Sequence, residues 1–355
     1  MTLFFIVAFL ALSSSPAQAA EPFYKNKRLT ILINFAVAGP SDIEGRLFAK
    51  YLARHLDGAP GIVVQNMDGA GGIVGAKYLG EVAPRDGTML GFFTGTGFIY
   101  ALDPSRFRVD FLSYGFVAIQ SGTTVLYVRT DVAPGMHGPT DIVKARGVIA
   151  GGLSVDTSKD LRMRLALDML GVPYKYVTGY RSSSTSRLAL QKGEINLTSE
   201  SPPSYRAVVV PSLVATGVAI PVFYDAYYDG GAFEPSPQVD RLDLLPFHEL
   251  YRKIKGVLPS GVSWENYRAI TASDGSMQRM IVFPPGTPPA ARDALAAAIV
   301  EINADKEHAA EAMSSIGFVP EWQTGPDLDR TVRKLLNVPP EVRAFLADYI
   351  KAANK

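Results

Sequence analysis

Cysteine is absent from the 355 residues. That excludes a disulfide frame, a thiolate metal site and a lipid-modified N-terminal Cys, so the fold must hold through packing alone. An excess of one charge is also missing: 35 Lys and Arg stand against 34 Asp and Glu, leaving no global positive field to draw nucleic acid or an anionic membrane. No nucleic-acid partner is expected. Histidine is scarce, and His55, His137, His248 and His308 lie far apart without metal-ligand spacing. There is no G-x-S-x-G elbow, and Gly152-Leu153-Ser154-Val155-Asp156 suggests a nucleophile only superficially. Neither catalytic residues nor a metal or cofactor are expected.

Long apolar runs are missing too. The run from Leu3 to Leu12 is too short to cross a bilayer, which needs about 20 residues. It is followed by a polar stretch ending in Ala17-Gln18-Ala19, a small-x-small pattern, so residues 1–19 read as a secretory signal cleaved after Ala19. The segment carries no Lys or Arg, and the alternative is an uncleaved buried segment. A mature protein free and soluble in an exported compartment is the expectation.

What the sequence does contain is apolar mass and turn residues. It is 47% hydrophobic with 32 Gly and 25 Pro throughout, enough for two cores and hence two domains. LTILINF (29–35) reads as a buried strand ending at Gly39-Pro40, and Ser41 is placed to cap the helix DIEGRLFAKYLARHL. The pattern repeats in GIVVQN, the loop MDGAGG and the helix IVGAKYLGEVA, and a third strand, TMLGFF, leads into Thr94-Gly95-Thr96. Strands alternating with helices predict α/β architecture with a parallel sheet. A second series follows the linking strand TTVLYVRTD (123–131): strand GVIAGG, helix 158–170, strand PYKYV, loop TGYRSSSTS, helix RLALQKG and strand EINLTSE. The stretch from Tyr224 to Arg268 reads as an ordered but irregular loop. Strand MIVFPPGTP, helix ARDALAAAIVEINA and two or three further helices close the chain.

The glycines of QNMDGAGGIVGAKYL (65–79) fail as a dinucleotide fingerprint, because the sixth position counted from Gly69 is Val74 and the loop follows the second strand. They fail as a Walker loop, because Ala76 precedes Lys77. A tight structural turn remains one reading. The other starts from position: Ala38, Gly39, Ser41 and Asp42, like Gly69, Ala70, Gly71 and Gly72, lie between a strand's end and a helix's start. Free backbone N–H groups and the positive end of the helix dipole converge there, and two such termini can hold a carboxylate without a basic side chain. Thr94 and Thr96 flank the third such loop. In the second half Ser154 and Thr157 precede one helix, and Tyr180, Arg181 and Ser182 another. Arg181 could clamp a second acidic group, or the loop could be merely solvated. Glu200, ending another strand, is a further candidate.

The order of these motifs resembles the solute receptors of tripartite tricarboxylate transporters, the Bordetella uptake gene (Bug) family, across nearly the whole mature chain. Asn66, Gly69, Ala70, Gly71, Gly72, Gly75 and Ala76 all fall on the family pattern, with APRDGTMLGFFTGTG, LALQKGEINL and VFPPGTPPAARDAL in sequence around them. The first loop departs from it, having Val37-Ala38-Gly39-Pro40-Ser41-Asp42 where P-G-G-G-T-D is usual. The resemblance implies a type II periplasmic-binding-protein fold, two α/β domains with a ligand cleft between them. Domain 1 is expected at 20–121 plus 278–355 and domain 2 at 122–277. It further implies a monomeric, periplasmic, non-enzymatic receptor that binds a small organic carboxylate, a dicarboxylate or aromatic acid among them, and delivers it to the permease subunits. A sensor presenting the acid to a membrane kinase, or an exported enzyme on the same fold, are the alternatives.

Overall fold

The computed structural model describes residues 21–228 and 231–353; the expected signal sequence lies outside them. The chain opens with β1 (Arg28–Ile33), α1 (Pro40–His55), β2 (Gly61–Asn66), α2 (Ile73–Glu81), β3 (Met89–Thr94), α3 (Thr96–Leu102) and β4 (Gly115–Gln120). It then crosses to a second series: β5 (Val125–Arg129), β6 (Val148–Gly151), α4 (Ser158–Leu170), β7 (Tyr174–Val177), α5 (Ser183–Lys192) and β8 (Leu197–Glu200). There follow α6 (Pro202–Ser204), which runs into a π-helix over Tyr205–Val214, and then β9 (Ala219–Tyr224). A two-residue hairpin, β10 (Tyr227–Tyr228) and β11 (Phe233–Glu234), precedes α7 (Phe247–Lys255) and α8 (Val262–Ser276). The chain recrosses into β12 (Arg279–Phe283) and ends in α9 (Pro289–Ala304), α10 (Lys306–Ser315), α11 (Leu328–Leu335) and α12 (Pro340–Ala353).

The strands form two five-stranded sheets, ordered β2-β1-β3-β12-β4 and β7-β6-β8-β5-β9. Both are mixed, which corrects the expected parallel sheet. β12 runs antiparallel to β3 and β4, and β5 antiparallel to β8 and β9. The cause is where the chain enters. β12 starts at Arg279 opposite Thr94, the end of β3, and β5 starts at Val125 opposite Glu200, the end of β8. Each is the first strand after a crossover, so it begins at the end where its neighbours finish.

Three further expectations are corrected locally. Gly39, not Ser41, is the N-cap of α1, because Pro40 occupies the first helical position that its fixed φ favours and puts the cap two residues earlier. Helix α5 begins at Ser183 rather than Arg187, taking up the last four of the nine residues of the expected polar loop. The stretch expected to be irregular holds α7 and the first seven of the fifteen residues of α8, whose Tyr- and Asp-rich flanks hid their periodicity.

Packing explains the layers. Helix α1 buries Leu47, Phe48, Tyr51 and Leu52 against one face of the first sheet, each worth about 1.5–3 kcal/mol, while Asp42 in its first turn and Arg54 in its last complement the dipole. A second apolar cluster runs without a break from Leu32, Ile73 and Phe93, through Met277 and Met280 beside the crossover, to Leu126, Leu161 and Phe247. The two sheets therefore share core as well as chain.

Candidate functional site

The ends of the strands in both sheets face one cavity of about 40 Å³, lined by Ser41, Gly71 and Thr94 from the first series and by Thr157, Ser158 and Ser182 from the second. The common feature of these residues is that each lies within two residues of a helix's first residue. The N-caps of α1, α2 and α3 are Gly39, Gly72 and Gly95, and those of α4, α5 and α6 are Thr157, Ser182 and Ser201. At α1, α2, α3 and α4 no cap side chain accepts from the first turn, but Asp42 N donates to the Gly39 carbonyl and Ile73 and Val74 N to those of Ala70 and Gly69, and Pro40 has no N–H, so the donors left to a bound anion are Ser41 N of α1 and the first turns of α3 and α4.

GAGG is shaped for this position. Gly71 has φ 67°, and a Cβ there would stand 2.9 Å from Thr157 Cγ2 across the cleft. Gly72 has φ 95°, and its Cβ would stand 2.4 Å from Asn34 Nδ2. Asn34, fully buried, ties the loops together by donating to the Thr94 carbonyl at 3.0 Å and accepting from its N–H at 3.1 Å. Ser41 Oγ lies 2.8 Å from Thr94 Oγ1, which holds the start of α1 against the end of β3.

The sixteen candidate residues divide by position. Ser41, Gly71, Thr94, Thr157 and Ser182 line the cavity. Gly69, Ala70, Ser154, Tyr180 and Arg181 line an adjoining groove at the cleft's mouth. Ala38, Gly39, Asp42, Gly72, Thr96 and Glu200 line neither. Asp42 closes the first loop, accepting from Ala38 N at 2.9 Å and Asn66 Nδ2 at 3.0 Å. Glu200 is fully buried, held by Arg187, Ser204 and Tyr127. Arg181 is mostly exposed and makes a bidentate pair with Asp68 of the opposite series, at 2.5 and 3.0 Å. Ser184 Oγ donates to the Val37 carbonyl at 3.1 Å and Arg187 to that of Ala38 at 3.3 Å, so three contacts bridge the mouth.

Sequence reasoning missed the charges inside. Lys159 and Arg162, on the first turns of α4, line the cavity with Asp274 of α8. Lys159 Nζ is 2.9 Å from Asp160. Arg162 is 1% exposed; its Nε lies 3.0 Å from Asp225 and its Nη2 3.3 Å from Asp274, yet none of its nitrogens makes a well-aligned hydrogen bond. Asp225 also accepts from Tyr267 OH at 2.5 Å and from Thr124 Oγ1. Burial pushes the Asp274 carboxyl above the usual carboxylate range, with Arg162 opposing. Eleven of the thirteen residues of α4 are buried, including Lys159, Asp160, Arg162 and Arg164. The available signal was that apolar residues surround these charges on every side of the helix, leaving no face for them to reach water.

Among the described residues, no group of three or more His, Asp or Glu is placed to hold a metal ion. None of the histidines lines the cavity: His55 bonds Asp305, His248 stacks on Phe233 and His308 packs on Tyr51.

Two mixed α/β sheets with a helix-start cavity between them define the class, and the chain has the fold of the periplasmic binding proteins. The solved structure of periplasmic binding protein BugD matches with a TM-score of 0.67 at 17% identity, covering 92% of this chain and 98% of that one. MatC (Rpa3494) from Rhodopseudomonas palustris, solved with bound malate, matches with a TM-score of 0.62 at 19% identity, covering 92% and 99%. Rpa4515 from the same organism, solved with adipate, matches at 0.66 and 18% identity, covering 93% and 98%. By sequence, a UPF0065 protein from the TAR-I ttuE-ttuC' intergenic region of Agrobacterium vitis is 32% identical over 183 residues; the match spans about half of each protein, 48% of this chain and 52% of that one. No family model matches the sequence. The resemblance to Bug and tripartite tricarboxylate solute receptors and the expected fold class are both borne out.

Proposed function

We propose that this protein is an extracytoplasmic receptor that binds a small organic carboxylate in the cavity between its two halves and passes it to a membrane permease of the tripartite tricarboxylate type. On this reading residues 1–19 are removed on export to the periplasm, domain 1 comprises 20–121 plus 278–355, domain 2 comprises 122–277, and the receptor works as a monomer. The observation that carries the reading is the chemistry of the cavity wall: the uncapped starts of α1 and α4, one from each half, line one space beside the buried guanidinium of Arg162. Such a wall stabilises an anion. Malate and adipate in two proteins of the same fold support a carboxylate. Micromolar affinity requires only about 8 kcal/mol, within reach of a few charge-assisted hydrogen bonds and desolvated carbon.

The test is a melting-temperature panel of organic acids, amines and neutral sugars on the purified mature chain. Trp264 emission provides an optical check, because its ring stacks on Tyr267, which bonds the Arg162 partner Asp225. The expected outcome is stabilisation by one or more acids and by none of the others. Stabilisation by an amine or sugar alone overturns the reading.

A further inference from the structure

Exposed apolar side chains gather where α7 gives way to α8. Val257, Leu258 and Val262, three of the eleven large apolar residues exposed among the described residues, fall within six positions there. They are 63%, 55% and 60% exposed, and of residues 256–262 only Pro259 is buried. Gly256 (φ 79°) and Gly261 (φ 83°) turn the backbone at either end, and a Cβ on either would meet nothing within 4 Å. The connection is therefore a projecting tip anchored at Pro259, and its aliphatic side chains gain by leaving water for an apolar phase.

The chain as a whole is close to neutral, so attraction to a charged surface depends on a local excess. From Glu249 to Arg268 the sequence holds four cations, Arg252, Lys253, Lys255 and Arg268, against two carboxylates, Glu249 and Glu265. Each carboxylate is paired within its own helix, Glu249 with Arg252 and Glu265 with Arg268. The helical turn Pro139–Lys144, packed against α7, adds one balanced pair, Asp141 with Lys144. Lys253 and Lys255, exposed in the last turn of α7, are the unbalanced charges beside the tip. The dipole of α7 accounts for cations at that end, but not for aliphatic side chains in solvent just beyond them.

We propose that this tip docks the protein on an anionic lipid bilayer, with Val257, Leu258 and Val262 among the acyl chains and Lys253 and Lys255 against the lipid phosphates. Aliphatic side chains at the front and ammonium groups directly behind match the order of hydrocarbon and phosphate in a lipid surface, and the lysine stems are long enough to reach back to the headgroups. Hydrocarbon accepts Val and Leu without a matching pocket. Protein–protein hot spots favour Trp, Tyr and Arg, and Leu and Val are under-represented in them. Asp274, which lines the cavity, lies twelve residues along α8 from Val262, about 18 Å by helix rise, so docking at the tip leaves the cavity uncovered. The assignment does not depend on what the cavity binds.

The experiment is cosedimentation of the full mature chain, at low ionic strength, with vesicles of phosphatidylcholine and with vesicles of phosphatidylcholine and phosphatidylglycerol in equal parts. Partitioning onto the mixed vesicles is expected to exceed that onto phosphatidylcholine by at least about tenfold, the factor two lysines near an anionic surface supply, and to fall as salt is added. The double variant Val257→Ser, Leu258→Ser is expected to lose at least about fivefold of that binding, and Lys253→Gln, Lys255→Gln to bring it down to the phosphatidylcholine level, each with melting temperature kept. No binding of the wild-type chain to the mixed vesicles overturns the proposal, and so does undiminished binding by either folded variant. Binding only to vesicles that carry membrane protein, with none to pure lipid, assigns the tip to a protein partner and overturns the lipid assignment.

Discussion

Two arginines exchange the roles their positions in the sequence suggest. Arg181 follows a strand in a serine-rich loop, where a ligand clamp is expected, but its guanidinium spans the mouth to Asp68 with most of the side chain in solvent. Arg162 lies within a helix among Leu161, Met163 and Leu165, away from the loops where a clamp is expected, but it lines the cavity. A single sequence shows which residues are adjacent in the chain, whereas Asp225 and Asp274 reach Arg162 from β9's end and from α8. As an exposed pair, Arg181 and Asp68 contribute about 0–1 kcal/mol to the bridged arrangement. Arg181→Ala is therefore expected to weaken a monoacid and its diacid analogue by the same factor, less than about fivefold. Parallel titrations check this, and a loss confined to the diacid returns Arg181 to the clamp role.

At the level of elements, what was legible followed periodicity and turn chemistry. The run LTILINF, the helix over 158–170 and the helix after VFPPGTP all stand where apolar spacing and Pro or Gly punctuation put them. The parallel-sheet expectation failed because strand direction depends on where a crossover re-enters, and no local pattern carries that. The stretch 224–268 failed because its helices are amphipathic among polar aromatic residues whose partners lie in other elements. Trp264 and Phe247, for example, converge on Tyr267. Helix α10 carries a consequence for pH. His308 is 1% exposed, its ring 5.0 Å from that of Tyr51 and its Nδ1 without a hydrogen-bond partner. Burial lowers its pKa below the ordinary value near 6.5, with Asp305 opposing. Below about pH 6.5 the unfolded chain binds a proton the folded one refuses, so stability falls as pH drops, by at most about 1.4 kcal/mol per pH unit for this group. Urea unfolding between about pH 7.5 and 5.5 is expected to show that slope, and His308→Gln to reduce it; an unchanged slope assigns it elsewhere.

For the whole molecule, function depends on two sheets whose strand ends face one another. Shared core behind the cavity, from Met277 and Met280 into α4 and α8, fixes one side, and polar contacts at Arg181, Ser184 and Arg187 bridge the other. In the proposed receptor role, a ligand bridging both halves would favour the bridged state. In the proposed receptor these helix starts hold a carboxylate. Thr157→Asp tests it most directly, because Asp is a good N-cap and preserves α4 while placing a negative charge on the cavity wall. The measurement is the dissociation constant of the most stabilising acid for wild type and for this variant, with melting temperature as the control. An affinity loss of at least about a hundredfold with melting temperature kept is expected; undiminished binding by a folded Thr157→Asp protein would overturn the carboxylate site.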